Sequence, residues 1–247
     1  INLSSENIPP FSISVSAEAR GRPEVIPAKK GGKKVAPETM KRIYNTIKTP
    51  FKYGVILKSE SGKKLDCPSV FRYKDTWYMV YIVFDGNGYE THLAESSDLL
   101  SWKPKGTILS FRKNTWDAFQ AAGYVALQDH TWGGGYRLQT FDGNYWLSYL
   151  GGKLKGYETD PLSIGVAWTT DPGKARPWTR LPEPVLSRDQ SDVRSFEALT
   201  QYKSTIIVDK EKTLGYRFVM FYNGKKDHGY ERIGMAVSNN MTHWIRY

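Results

Sequence analysis

Two carboxyl groups facing each other across a pocket can cleave a glycosidic bond. One protonates the leaving oxygen while the other activates water or attacks the sugar. Asp66, which opens Asp66-Cys67-Pro68-Ser69-Val70-Phe71, and Glu197, which closes Asp192-Val193-Arg194-Ser195-Phe196-Glu197, are read as such a pair, because each leads into a strand-like stretch. A glutamate suits the acid, since its longer side chain in a drier site can hold a raised pKa, whereas an aspartate beside donors stays ionised. An aspartate at a strand start also serves simply to cap a turn. Asp192 and Asp117 are the further catalytic candidates. Arg194, next to two of these acids, suits a carboxylated or hydroxyl-rich ligand. Trp116, like Trp132 and Tyr124, suits stacking on a sugar face. With His130, Glu90 and Asn223, Arg194 and Trp116 complete the candidate substrate-binding set.

Other chemistries find little support. The histidines at 92, 130, 228 and 243 show no HExxH or comparable spacing, and Cys67 has no cysteine partner, so neither a metal centre nor a cofactor is expected. Gly133-Gly134-Gly135 lacks the strand and helix that flank a phosphate loop. The net charge of +10 favours an acidic polymer as partner. A nucleic-acid reading through the basic lead-in would require a steep salt dependence, and it is set aside in favour of a glycan. The most apolar run, Trp77 to Phe84, has the length of one strand, so no membrane-spanning segment is expected.

The elements that must position these residues show as a repeat. Apolar aromatic strands at Trp77 to Tyr81, Tyr145 to Tyr149 and Tyr216 to Tyr222 are each followed by Gly-Tyr-Glu, at 88–90, 156–158 and 229–231. Each segment then has an alanine with Ser or Thr two residues on (Ala94, Ala167, Ala236) and a closing tryptophan (Trp102, Trp178, Trp244). A repeat of about 70 residues holding four short strands reads as a β-propeller blade. The glutamates of the triplets, Glu90, Glu158 and Glu231, recur in every blade and so read chiefly as structural. The first strand of a blade begins, and its second strand ends, on one face of the propeller, which puts Asp66, Asp192, Arg194 and Glu197 at a common mouth. In the second blade either Ala122 to Gln128 or Tyr136 to Phe141 could be innermost, with Asp117, Asp129 and His130 as its polar residues. Residues 1–50 form a polar lead-in with a short helix, because Met40, Ile43, Tyr44 and Ile47 fall at helical spacing. The propeller-like domain runs over 51–247.

Asp66 to Phe71 with Trp77 to Tyr81 and Ala94 to Trp102, and again Gly234 to Trp244, resemble the five-bladed propeller glycosidases grouped around glycoside hydrolase families 32, 43, 117 and 130. The resemblance spans roughly 60–247. It implies an all-β fold of which three blades are visible, the remaining blades coming from the parent chain or a partner chain. It implies an oligosaccharide or polysaccharide substrate of complex, plant-like type, with acidic or furanose branches, and an inverting mechanism with Asp66 as base. It also implies a periplasmic or secreted location. A second acid is absent from Phe119-Gln120-Ala121-Ala122, and a family acid one blade later would fall beyond Tyr247. A non-catalytic glycan-binding propeller and a phosphorylase are the alternatives.

Overall fold

In the computed structural model residues 34–48, 54–59 and 61–247 are described. The expected lead-in over 1–33 lies outside them. The described residues fall into two units, one holding the helix and the other running from residue 54. The helix α1 spans Pro37–Ile47, with Pro37 in its first turn, where a missing N–H costs nothing. No described helix is long and apolar enough to cross a membrane.

The second unit is built from three antiparallel four-stranded meanders, so the repeat read in the sequence is also the repeat of the fold. The first is β1 (Lys64–Tyr73), β2 (Thr76–Phe84), β3 (Tyr89–Ser96) and β4 (Lys103–Leu109). The second is β5 (Gln120–Val125), β6 (Tyr145–Gly152), β7 (Leu162–Thr169) and β8 (Thr179–Arg180). The third is β9 (Thr200–Val208), β10 (Phe218–Lys225), β11 (Glu231–Ser238) and β12 (Ile245–Arg246). A parallel pairing of Tyr89 with Gln120 joins the first two meanders into one sheet, β9 to β12 form a second, and the sheets do not close. β5 is therefore the first strand of its meander. Tyr136 to Phe141 makes only isolated bridges within the long connection 126–144.

Buried apolar layers hold the meanders face to face. Phe71, Val80, Leu93, Leu147 and Tyr149 pack between the first and second. Ile164, Val166, Ile206, Phe218, Met220 and Trp244 pack between the second and third. Each such side chain contributes about 1.5–3 kcal/mol on full burial. One buried threonine stitches each seam. Thr91 Oγ1 donates to Ala121 O and accepts from Gly123 N at 2.6 and 2.7 Å. Thr200 Oγ1 likewise donates to Leu162 O and accepts from Leu162 N at 3.2 and 2.7 Å.

Inside the second and third meanders, a buried carboxylate ahead of the first strand is gripped by an arginine from the fourth. Asp117, fully buried, accepts from Arg180 Nη1 at 2.9 Å, Arg112 Nε at 2.9 Å, Thr115 Oγ1 at 2.5 Å and Tyr149 Oη at 3.1 Å. Glu197, also fully buried, accepts from Arg246 Nε at 2.7 Å and from the Arg194 backbone N–H at 3.1 Å. Arg246 also donates to half-exposed Asp192 at 2.6 Å, to Gln190 at 2.8 Å and to Ser187 O at 2.9 Å. The aromatic residue before each acid, Trp116 or Phe196, lies against a glycine of the second strand. A Cβ on Gly151 would stand 2.2 Å from the Trp116 ring, and one on Gly224 would stand 2.7 Å from Glu197 Cβ. Only glycine admits so close an approach.

Removing one partner of a fully buried pair strands the other charge, at a cost of about 3–5 kcal/mol. Arg246→Met is therefore expected to lower the urea midpoint by the equivalent of that loss. Glu197→Gln combined with Arg246→Met should recover much of it. An unchanged midpoint in the single variant would contradict the latch.

Candidate active site

The mouth lies where the first strands of the meanders start. β1 and β9 each carry a bulge at the same place, Cys67-Pro68 opposite Tyr81 and Lys203-Ser204 opposite Tyr222. Bulges re-aim side chains. Cys67 and Lys203 adopt left-handed backbone, with φ of 49° and 50°, and Glu158 on the β6–β7 loop does the same at 45°. Such conformations cost non-glycine residues roughly 1–3 kcal/mol each and concentrate at functional sites. These three residues share one contact network.

That network runs from Asp66 to Glu231. Tyr157 Oη donates to Asp66 Oδ2 at 3.1 Å, tying the β6–β7 loop to β1. Glu158 pairs with Lys203 Nζ at 3.0 Å, tying the same loop to β9. Lys203 Nζ stands 5.1 Å from the centre of the Tyr202 ring, and Lys225 Nζ lies over the same ring at 4.7 Å. The Tyr202 hydroxyl donates to Glu231 Oε1, and Asn223 Nδ2 donates to Glu231 Oε2 at 2.7 Å. Lys225 also pairs with buried Asp160 at 3.3 Å. Beneath the network Ile82, Tyr89, Ala122, Leu150, Leu162 and Tyr202 form an apolar floor.

The loop that presents Tyr157 and Glu158 is shaped by Gln120. Its buried amide donates to Leu154 O at 2.9 Å and Gly156 O at 2.8 Å, while Gly156 N donates to Asn87 O at 2.7 Å. The stretch Phe119 to Ala122, which lacks an acid, thus holds in place the loop that carries one.

Electrostatics separate the groups. The Tyr202 hydroxyl, followed by the Asn223 amide, holds the Glu231 carboxyl below its ordinary 4.5 against a modest desolvation. At Lys203 desolvation lowers the pKa, but the hydrogen bond and charge of Glu158, with Glu231 beyond, outweigh it and leave the ammonium above its usual value. Burial, then the Asp66 charge, pushes the Cys67 thiol up, so it is no thiolate nucleophile. No described group of His, Cys, Asp and Glu could hold a metal ion.

Of the residues singled out in the sequence, the structure brings Asp66 and Asn223 into this network. Glu197, Asp192 and Asp117 lie in the two arginine latches, and Trp116 stacks on Tyr149 at 5.4 Å beside one of them. The Arg194 backbone serves the Glu197 latch. Glu90 accepts from Ser110 Oγ and lies 3.8 Å from His92 Nε2, so it faces β4 and not the mouth. His130 belongs to a cleft at the other end of β1. The residues that the sequence reading left as structural, Glu158 and Glu231, stand in the mouth. A signal was present in the spacing: Glu158 precedes Ala167 by nine residues, whereas Glu90 and Glu231 precede Ala94 and Ala236 by four and five. The three triplets are therefore not equivalent positions.

The protein's structural neighbours are glycoside hydrolases of the propeller type. A structure of BT0996 in complex with RGII is 46% identical, with a TM-score of 0.75 over 87% of this chain and 65% of that one. A glycoside hydrolase is 44% identical with the same TM-score and coverage. Zg3597, a family 117 glycoside hydrolase of Zobellia galactanivorans, shares the fold at 15% identity and a TM-score of 0.60, over 77% of this chain and 58% of that one. The chain thus spans 65% of the length of the two more similar neighbours. No family profile and no curated protein matches it.

Because its hydrogen bonds favour the anion, Glu231 contributes stability that is present above the unfolded glutamate pKa and lost as pH falls through the lower folded value. Carboxyl 13C titration is expected to give Glu231 a midpoint below 4.5, moving up towards that value in Tyr202→Phe. Equal midpoints in both proteins would refute the assignment.

Proposed function

We propose that this chain carries the catalytic mouth of a glycoside hydrolase, with Glu231 and Glu158 as the working carboxylates and Asp66 as the group that orients the sugar. The observation that carries the reading is the convergence of three meanders on one network, with strained backbone at Cys67, Glu158 and Lys203. Glu231, kept anionic, activates water. Glu158 delivers the proton to the leaving oxygen. Asp66 accepts a sugar hydroxyl beside Tyr157. Asp117, Glu197 and Asp192 are positioning residues, which hold the first strands from which the mouth is built.

The meanders are proposed as three blades of a five-bladed propeller, the rest supplied by the parent chain or a partner chain. The outward face of the third meander supports this, for Ile207, Phe221, Ile233 and Ile245 are exposed there at 36%, 39%, 70% and 42%. The proposed substrate is a complex plant-type glycan, in keeping with the neighbour solved as an RGII complex. The mouth sets Asp66, Glu158, Asp160 and Glu231 against Lys64, Lys203 and Lys225, so the excess positive charge is not concentrated there. A neutral sugar is accordingly the one cleaved, by inversion. A periplasmic or secreted enzyme fits such a substrate.

Sugar release from a panel of plant polysaccharides by the full parent protein tests the reading. Glu231→Gln and Glu158→Gln are each expected to lower the rate about a hundredfold or more, with the folded circular-dichroism spectrum retained at the assay temperature and inverted product seen by NMR. Glu197→Gln should lose stability before it loses intrinsic rate. Release by both mouth variants at the wild-type rate would sink the assignment. Glycan binding without release by the wild type would favour a binding propeller.

A further inference from the structure

The connection between first and second strands differs sharply among the meanders. In the first it is Lys74 and Asp75 alone, in the third it is 209–217, and in the second it is the long excursion 126–144. This excursion is firmly anchored. Asp129 N donates to Arg137 O at 3.0 Å, Arg72 N donates to Tyr136 O at 2.9 Å, and Gln128 Nε2 donates to Val70 O at 2.8 Å. It forms one wall of a cleft of about 580 Å³ whose other wall is Val70, Trp77 and Leu99.

The lining has an unusual chemistry. Trp132 stands fully exposed at the tip of the excursion, at 101%, and Tyr136 is 52% exposed. Tyr136 packs against Trp77 at 5.7 Å, which fixes its ring plane, and Arg72 covers Trp77 at 5.6 Å. Beside the rings sit planar polar groups. Asp129 Oδ1 accepts from Thr131 N at 3.0 Å and Thr131 Oγ1 at 2.7 Å, so that carboxylate is rigid, and its Oδ2 has no hydrogen bond among the described residues. The Thr131 hydroxyl, foremost, holds Asp129 below its ordinary pKa and so keeps it an acceptor. His130 adds a ring nitrogen of either polarity.

We propose that this cleft is a second carbohydrate-binding site, remote from the mouth, which holds a neutral stretch of a glycan without cleaving it. Trp132 and Tyr136 offer flat apolar faces for the C–H faces of sugar rings, while Asp129 and His130 bind hydroxyls. The partner is a sugar and not an apolar helix, because a fixed carboxylate and a histidine stand next to the exposed rings, where a helix would leave them desolvated and unpaired. It is not a polyanion, since Asp129 would repel one. The inference extends the glycosidase reading but does not need it, because binding is read independently of bond cleavage.

Affinity electrophoresis of the full parent protein in gels containing neutral arabinan, galactan or arabinoxylan tests it, with Trp132→Ala, Tyr136→Ala and Glu231→Gln alongside. The wild type and Glu231→Gln are expected to be retarded equally on at least one gel. Trp132→Ala and Tyr136→Ala are expected to bind about tenfold more weakly with unchanged melting temperature. Retardation of the Trp132 and Tyr136 variants like wild type overturns the proposal, and so does the absence of retardation on every gel. A change of oligomeric state in Trp132→Ala also overturns it, by assigning the indole to a protein contact. Loss of sugar release in Glu231→Gln with retardation intact upholds both sites, and absence of release in the wild type with retardation intact removes only the glycosidase reading.

Discussion

A carboxylate taken out of water must be met by a cation and by enough donors to replace its hydration, or it will not stay buried as an anion. Asp117 and Glu197 obey that constraint in the same way, each reaching an arginine two residues after a buried tryptophan, Trp178 or Trp244, on the closing strand. The bond joins the point where the polypeptide enters a meander to the point where it leaves. Everything between is then fixed in length and register. The glycine under each aromatic–acid step and the tyrosine that leans on each carboxylate follow from it. In the third meander, burial and the Glu197 charge push the Tyr222 phenol up, which keeps it neutral and available as a donor.

Among the described residues the first meander has no such latch. Pro104 stands two residues after Trp102, where the other meanders carry the arginine, and among the described residues no buried acid precedes β1. Its outward face is instead packed as a separate apolar cluster, with Met79, Tyr81 and Val83 set against Leu57, Leu65 and Trp102. Asp66, which stands just before the bulge of β1 at the register that Tyr202 holds in β9, meets no arginine among the described residues. It is exposed, held among the described residues by Tyr157 and its own neighbour Cys67, and so able to meet a ligand.

Much of the fold was legible, because repetition amplifies weak signals. The closing tryptophans and the Ser/Thr-x-Asp/Asn steps before them are turn chemistry: the Ser96 and Ser238 hydroxyls accept from Leu99 N and Met241 N, and the Trp102 and Trp244 indoles donate to Leu99 O and Met241 O. The helix at 37–47 followed from apolar spacing. The site was less legible. An acid before a strand looks alike whether it faces solvent or an arginine 49 residues later, and only the fold shows that Arg246 comes back to Glu197. The Gly-Tyr-Glu triplets look alike in the sequence, yet they stand at different registers relative to β3, β7 and β11. In the second meander two apolar runs competed for the innermost strand, and the loser, 136–141, proved to be the return limb of an excursion.

The two stitching threonines have a consequence for how such a molecule changes over time. Each latch closes within its own meander, whereas the seams are made of interchangeable apolar side chains and scattered hydrogen bonds, those of Thr91 and Thr200 among them. Whole meanders can therefore be copied, exchanged or reshaped as units without disturbing the bonds that make them rigid. The mouth is assembled across those seams, from a loop of one unit against the bulged strands of its neighbours. Novelty at the mouth can then arise by reseating intact pieces, a route that leaves each piece foldable while the chemistry between them drifts.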